Sequence, residues 1–188
     1  MSENQFFDLS NLVKLENIGG GAFGTVFKVK DKKTGMYFAV KEFKINDDTE
    51  TAYISREITI ISKLKHPSIL KFIGYSPIDF DNQSRPIIIT EFSENNSLYN
   101  ILDLERHSLA PLEWNKTKKL ICIYGIASGM SYLHSHNIIH RDLKPQNILI
   151  DKSLFPKIGD FGISKILHQY SESMSFQSED GIKGTANY

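Results

Sequence analysis

The apolar period of this chain changes once, at a polar joint. Up to residue 92 the apolar residues fall mostly in short extended runs; after Ser93-Glu94-Asn95-Asn96 their spacing turns helical and stays so. This predicts an α+β chain, with strands in front of the joint and helices behind it. Leu12, Val13, Leu15 and Ile18 lead into a glycine cluster, residues 25–29 resume an extended pattern, Lys33-Thr34-Gly35 is turn chemistry, and Tyr37-Phe38-Ala39-Val40 begins another strand. One helix is expected in this half. Asn46 to Thr49 offer N-cap residues, Ile54, Ile58, Ile61 and Leu64 share a face, and Pro67 ends it. Apolar runs at 69–75 and 87–92 follow, separated by a polar loop over 79–85. Behind the joint, Leu98, Ile101 and Leu102 mark a short helix. A longer one over about 114–134 puts Leu120, Ile123, Ala127 and Met130 on one face. Residues 171–181 are polar, lack an apolar period and read as a loop.

Composition narrows the function classes. With 188 residues the chain is one domain, or two small lobes, able to bury a core. Basic and acidic residues both number 22, so no polyanion-binding surface is expected and nucleic acid is set aside as a partner. The single cysteine, Cys122, has no internal disulfide partner, which suits a reducing compartment. Residues 1–10 lack the basic start and apolar stretch of a secretory signal. The longest apolar run, 120–127, falls far short of the roughly 18 residues of a membrane helix. A cytoplasmic protein is expected, with the nucleus also open and no membrane partner.

Three groups of residues carry chemistry. Gly19, Gly21 and Gly24 form G-x-G-x-x-G followed by Val26, and glycines let a backbone approach phosphate oxygens closely. A dinucleotide fingerprint would need the last glycine to open a helix. Here it opens an extended segment, which leaves a phosphate loop or a plain hairpin turn. Lys41 closes the strand 38–41, and Glu57 lies on the following helix face, where a carboxylate can hold a strand lysine in place. Each has a bland reading alone, as solvated surface. The third group is His140-Arg141-Asp142-Leu143-Lys144-Pro145-Gln146-Asn147, with Asp160-Phe161-Gly162 beginning thirteen residues beyond Asn147. A bare polar loop turning at Lys144-Pro145 would have to produce an acid, a base and an amide at these spacings by accident.

That third group resembles the catalytic loop H-R-D-L-K-P-x-N and the D-F-G motif of eukaryotic protein kinases at every fixed position. From Ile18 to Tyr188 the chain is similar to that family's catalytic domain. The resemblance implies a two-lobe fold with a complete β-rich N-lobe (1–92), a hinge (93–96) and an incomplete helical C-lobe (97–188). It implies ATP and Mg²⁺ as cofactors. Ile18, Gly19, Gly20, Gly21, Ala22, Phe23, Gly24 and Val26 would cover the nucleotide. The backbone of Thr90-Glu91-Phe92-Ser93 would grip the adenine edge, and Ala39 and Leu149 would sandwich its ring. Lys41, held by Glu57, would bind the α- and β-phosphates, and Asn147 and Asp160 would ligate Mg²⁺. Asp142 would take or orient the hydroxyl proton, and Lys144, the serine/threonine-type residue, would neutralise the moving phosphoryl group.

Further implications follow from the same likeness. Thr90-Glu91-Phe92 and the stretch 126–149 resemble the tyrosine-kinase-like group, whose members mostly modify serine and threonine in protein substrates. Arg141 would receive a phosphate placed on the loop by an activating kinase or by autophosphorylation, with Ser171, Ser173, Ser175 and Ser178 as acceptors or as plain loop residues. Ile61, Phe72, His140 and Phe161 would stack between the lobes, and Gly184-Thr185-Ala186-Asn187-Tyr188 resembles the end of the activation segment. His66, His134 and His136 show no metal-ligand pattern. The family continues past this point through A-P-E and further helices, so the chain reads as a C-terminally shortened domain whose face at Leu120, Ile123, Ala127 and Met130 is short of cover. A serine/threonine kinase is the expected function. The alternatives are a nucleotide- or partner-binding module without transfer, and a domain completed by another chain.

Overall fold

The computed structural model describes residues 7–21, 24–44 and 48–167. Five strands form an antiparallel sheet: β1 (Leu12–Gly21), β2 (Gly24–Asp31), β3 (Tyr37–Phe43), β4 (Phe72–Ser76) and β5 (Ile87–Glu91), in the order β1-β2-β3-β5-β4. The two-residue period of a strand sends alternate side chains to opposite faces. Phe38 and Val40 of β3 therefore join Ile87 and Ile89 of β5 in a core with Leu12 and Val29. Ala39 and Lys41 turn to the other face with Ile88 and Thr90, where a cleft opens. Helix α1 (Asp48–Ile61) connects β3 to β4 and buries Ile54, Ile60 and Ile61. Asn46 and Asp47 of the expected cap lie outside the described residues.

Helix α2 (Leu98–Arg106) begins at a capping box. The Ser97 hydroxyl accepts from the Asn100 N–H, and the Asn100 side chain accepts from the Ser97 N–H. Helix α3 (Lys116–Ser135) is capped by Asn115, whose side chain accepts from the Lys118 N–H. Glu105 ties the two helices, accepting from Trp114 Nε1 at 3.2 Å and from Lys119. A second core runs from Ile61 and Phe72 through Ile101, Leu133 and Ile148 to Phe161. It joins the sheet to the helices.

One expectation needs correction. The helical period does not persist to the end. After α3 come β6 (Ile138–Ile139), β7 (Ile148–Ile150), β8 (Pro156–Ile158) and β9 (Lys165–Ile166), with β6 paired to β9 and β7 to β8. These strands are too short for a period to register. Helix α3 leaves much of the apolar stripe expected to be short of cover exposed. It buries Cys122, Gly125, Gly129 and Leu133, while Leu120 and Ile123 stand 67% and 64% exposed. A Cβ added to Gly125 would lie 2.6 Å from the Pro156 ring and 3.1 Å from Ser68 Oγ. The glycines bring α3 close to β8 and to the turn at Ser68.

Candidate active site

The four short strands explain why two distant motifs meet. Ile138 pairs with Ile166 and Ile139 with Lys165; Ile148 then pairs with Ile158 and Ile150 with Pro156. These are two antiparallel pairs in separate two-stranded sheets, one nested within the other along the chain, with a gap between them. Residues 140–147 form one side of the gap and residues 159–164 the other. His140 bridges it. Its Nε2–H donates to the Gly159 carbonyl at 2.9 Å, and its Nδ1 accepts from the Asp142 N–H at 3.3 Å. A carbonyl only accepts and an amide N–H only donates, so the neutral imidazole suits both partners. Burial holds the His140 pKa below its ordinary value, against the opposing pull of the Gly159 carbonyl, Asp160 and Asp142.

Two residues of this gap have a left-handed backbone. Arg141 and Asp160 adopt φ of 66° and 59°, left-handed values that are uncommon outside glycine. Arg141 Nε donates to the Ile163 carbonyl at 2.6 Å, and Phe161 is fully buried with its ring 5.1 Å from that of His140. Asp160 thereby faces the sheet. Its Oδ1 lies 3.4 Å from Lys41 Nζ, which also donates to both carboxylate oxygens of Glu57 at 2.9 and 3.0 Å. Burial alone would lower the Lys41 pKa, but the Glu57 and Asp160 carboxylates outweigh it and the ammonium is held above its usual range. Burial pushes the Glu57 carboxyl up, against the pull of Lys41, with Asp160 adding to the rise.

Across the gap, Asp142 is clamped from two sides. Its Oδ2 accepts from Asn147 Nδ2 at 2.9 Å and pairs with Lys144 Nζ at 2.8 Å. Asn147 Nδ2 also donates to the Asp142 carbonyl at 2.8 Å. Both amide hydrogens of Asn147 are thus committed to Asp142, which orients its oxygen away from that residue.

Lys41, Glu57, Asn147 and Asp160 line a cleft of about 420 Å³, a size that suits a small-molecule ligand. Its sheet side is lined by Ile18, Gly19, Gly20, Gly24, Val26, Ala39 and Lys41, and its back by Glu57, Thr90, Phe92 and Ser93. Leu149, Asn147 and Asp160 line the opposite side. Gly24 admits no side chain, because a Cβ there would lie 2.2 Å from the Glu42 carbonyl oxygen. Gly21 ends β1, and Ala22 and Phe23 lie outside the described residues. The Glu91 carboxylate turns to the Lys71 N–H and to Lys157, while its backbone lies between the lining residues Thr90 and Phe92. Asp142 and Lys144 stand just beyond the lining, joined to it through Asn147. Ser171, Ser173, Ser175, Ser178 and 184–188 lie outside the described residues.

Several lining residues escaped the sequence reading: Leu70, Ile88, Ser97, Asn100, Gln146 and Gly159. Strand parity with Thr90 points to Ile88, and adjacency to Asn147 points to Gln146. Leu70 gave no sequence signal, because the N–H···O bond that it makes to Ile158 at 2.9 Å is a long-range contact.

Comparison with known proteins shows the family. The profile of the protein kinase domain matches residues 12–188. A probable LRR receptor-like serine/threonine-protein kinase of Arabidopsis thaliana is 36% identical over 182 residues, 95% of this chain and 18% of the relative. A probable serine/threonine-protein kinase of Dictyostelium discoideum is 35% identical over 159 residues, 84% of this chain and 30% of the relative. Cysteine-rich receptor-like protein kinase 28 of Arabidopsis thaliana is 35% identical over 175 residues, 91% of this chain and 24% of the relative. The chain thus spans less than a third of these curated relatives.

Proposed function

The chain belongs to the protein kinase domain family, and on that footing we propose that it binds ATP in the cleft and transfers the γ-phosphoryl group to serine or threonine hydroxyls of proteins. The observation that supports this best is the grouping of Lys41, Glu57 and Asp160 at one end of the cleft, beside the Asp142–Asn147–Lys144 set. Phosphoryl transfer asks a protein mainly for positioning and charge neutralisation. Lys41, fixed by Glu57, would hold the α- and β-phosphates. Ala39 and Leu149 would enclose the base, and the backbone at Thr90–Ser93 would meet its edge. Asp142, clamped through one oxygen, would receive the proton of the acceptor hydroxyl. The new oxygen–phosphorus bond then forms as the bond to the β–γ bridging oxygen breaks and ADP leaves. Lys144 would stand beside the moving phosphoryl group.

The donor set fits Mg²⁺. Asp160 offers a carboxylate and Asn147 an amide oxygen, both hard donors on the cleft lining. Among the described residues no cluster of three or more His, Cys, Asp or Glu could hold a metal. A cation with few protein ligands takes the rest from phosphate and water, as Mg²⁺ does. Bound there, it would neutralise charge on the phosphate oxygens.

Among the described residues no helix is long and apolar enough to cross a membrane. We place the reaction in the cytoplasm, where ATP is present and the free thiol of Cys122 stays reduced. Arg141 would receive a phosphate on residues 171–178, and mass spectrometry of active protein tests that.

The decisive test pairs ADP binding with phosphate transfer to a generic protein substrate. Asp142→Asn is expected to lower transfer by about 10²–10⁴-fold while ADP affinity stays within about threefold. Lys41→Met is expected to weaken ATP binding itself. Transfer undiminished in Asp142→Asn would remove the assigned base, and wild-type binding without transfer would make this a nucleotide-binding module.

A further inference from the structure

Two charged groups outside the lining connect the walls of the cleft. Glu91 ends β5 between the lining residues Thr90 and Phe92. Lys157 sits on β8 directly opposite Leu149, which lines the far wall. Lys157 Nζ approaches Glu91 Oε1 to 3.4 Å, and the same oxygen accepts from the Lys71 N–H at 2.8 Å. The Glu91 N–H returns a bond to the Lys71 carbonyl at 3.0 Å. Lys71 follows Leu70, whose N–H donates to the Ile158 carbonyl on β8. One carboxylate oxygen thus meets the β5 end of the cleft, the segment before β4 and the β7–β8 hairpin.

We propose that the Glu91–Lys157 pair is a tie between the two walls that sets their spacing, making Lys157 a positioning residue for nucleotide binding. This rests on the reading of the cleft as a nucleotide site. An exposed ion pair contributes little on its own. This one differs in geometry, because its side chains are only 28% and 16% exposed and its acceptor oxygen is already fixed by a backbone bond. The tie also coexists with the closed Lys41–Glu57 pair.

Lys157→Met keeps the stem and removes the charge. Its Kd for a fluorescent ADP analogue is expected to rise by about three- to tenfold, with Lys157→Arg within about twofold of wild type. Glu91→Gln should weaken binding similarly, and the double variant should be no worse than the weaker single one, since both remove one interaction. Exchange of the Lys71 amide hydrogen, followed without nucleotide, should quicken in Lys157→Met because its acceptor is no longer held. Unchanged or tighter binding in Lys157→Met, or additive losses in the double variant, would overturn the tie. Failure of the wild type to bind ADP would defeat the nucleotide reading instead, and the Lys71 exchange rate would then decide the tie alone.

Discussion

His140 shows how one side chain joins two motifs and makes the fold sensitive to pH. Its neutral form satisfies the Asp142 N–H and the Gly159 carbonyl together, and its pKa lies below the ordinary 6.5. The unfolded chain therefore takes up the proton first. Stability from this group is present above pH 6.5 and is lost as the pH falls from there towards the folded pKa, by at most about 1.4 kcal/mol per pH unit. Urea titrations between pH 7.5 and 5.5 should show this fall, and His140→Gln should flatten it. Cys122 behaves differently because burial is what acts on it. Burial pushes its thiol up to about 11, so at pH 8 only about a thousandth is thiolate. Reaction with a disulfide reagent is expected to be at least about 100-fold slower than in the urea-unfolded chain. Comparable rates in the two states would mean that the site opens readily.

At the scale of the element, α3 carries two apolar faces with opposite fates. The face of Cys122, Gly125, Gly129 and Leu133 is packed, and the stripe at Leu120 and Ile123 is exposed. Gly125→Leu would drive a side chain into the Pro156 ring and is expected to destabilise by about 1–3 kcal/mol despite better helix propensity. Leu120→Ser with Ile123→Ser should change stability by less than about 1 kcal/mol in total and improve solubility. Denaturant midpoints for the variants check both. The position of α3 was legible in the sequence; its packing face was not. Periodicity ranks faces by the size of their apolar residues, whereas close approach selects small ones. Similarly, β6 to β9 left no period in the sequence because each has only two or three residues. They matter nonetheless, since their pairing brings 140–147 beside 159–164.

For the whole molecule, nucleotide binding should act as a stabiliser that joins both halves of the cleft. A ligand at about 100 times its Kd adds about 2.7 kcal/mol, which corresponds to roughly 5–10 °C in Tm for a chain of this size. Mg-ADP is expected to raise the Tm by that amount, and Lys41→Met or Asp160→Asn to abolish most of the rise. An equal rise in both variants would place the nucleotide elsewhere. The sequence by itself determined the sheet half, the three helices and the identity of the chemical groups. Strand parity, caps and motif spacing are all short-range properties, readable within a few residues. Only the tertiary structure decided that Lys41 meets Asp160, that α3 leans on its glycines, and that Glu91 reaches Lys157. Those contacts depend on ladder register and on volume left between packed elements, which no local stretch of the chain encodes.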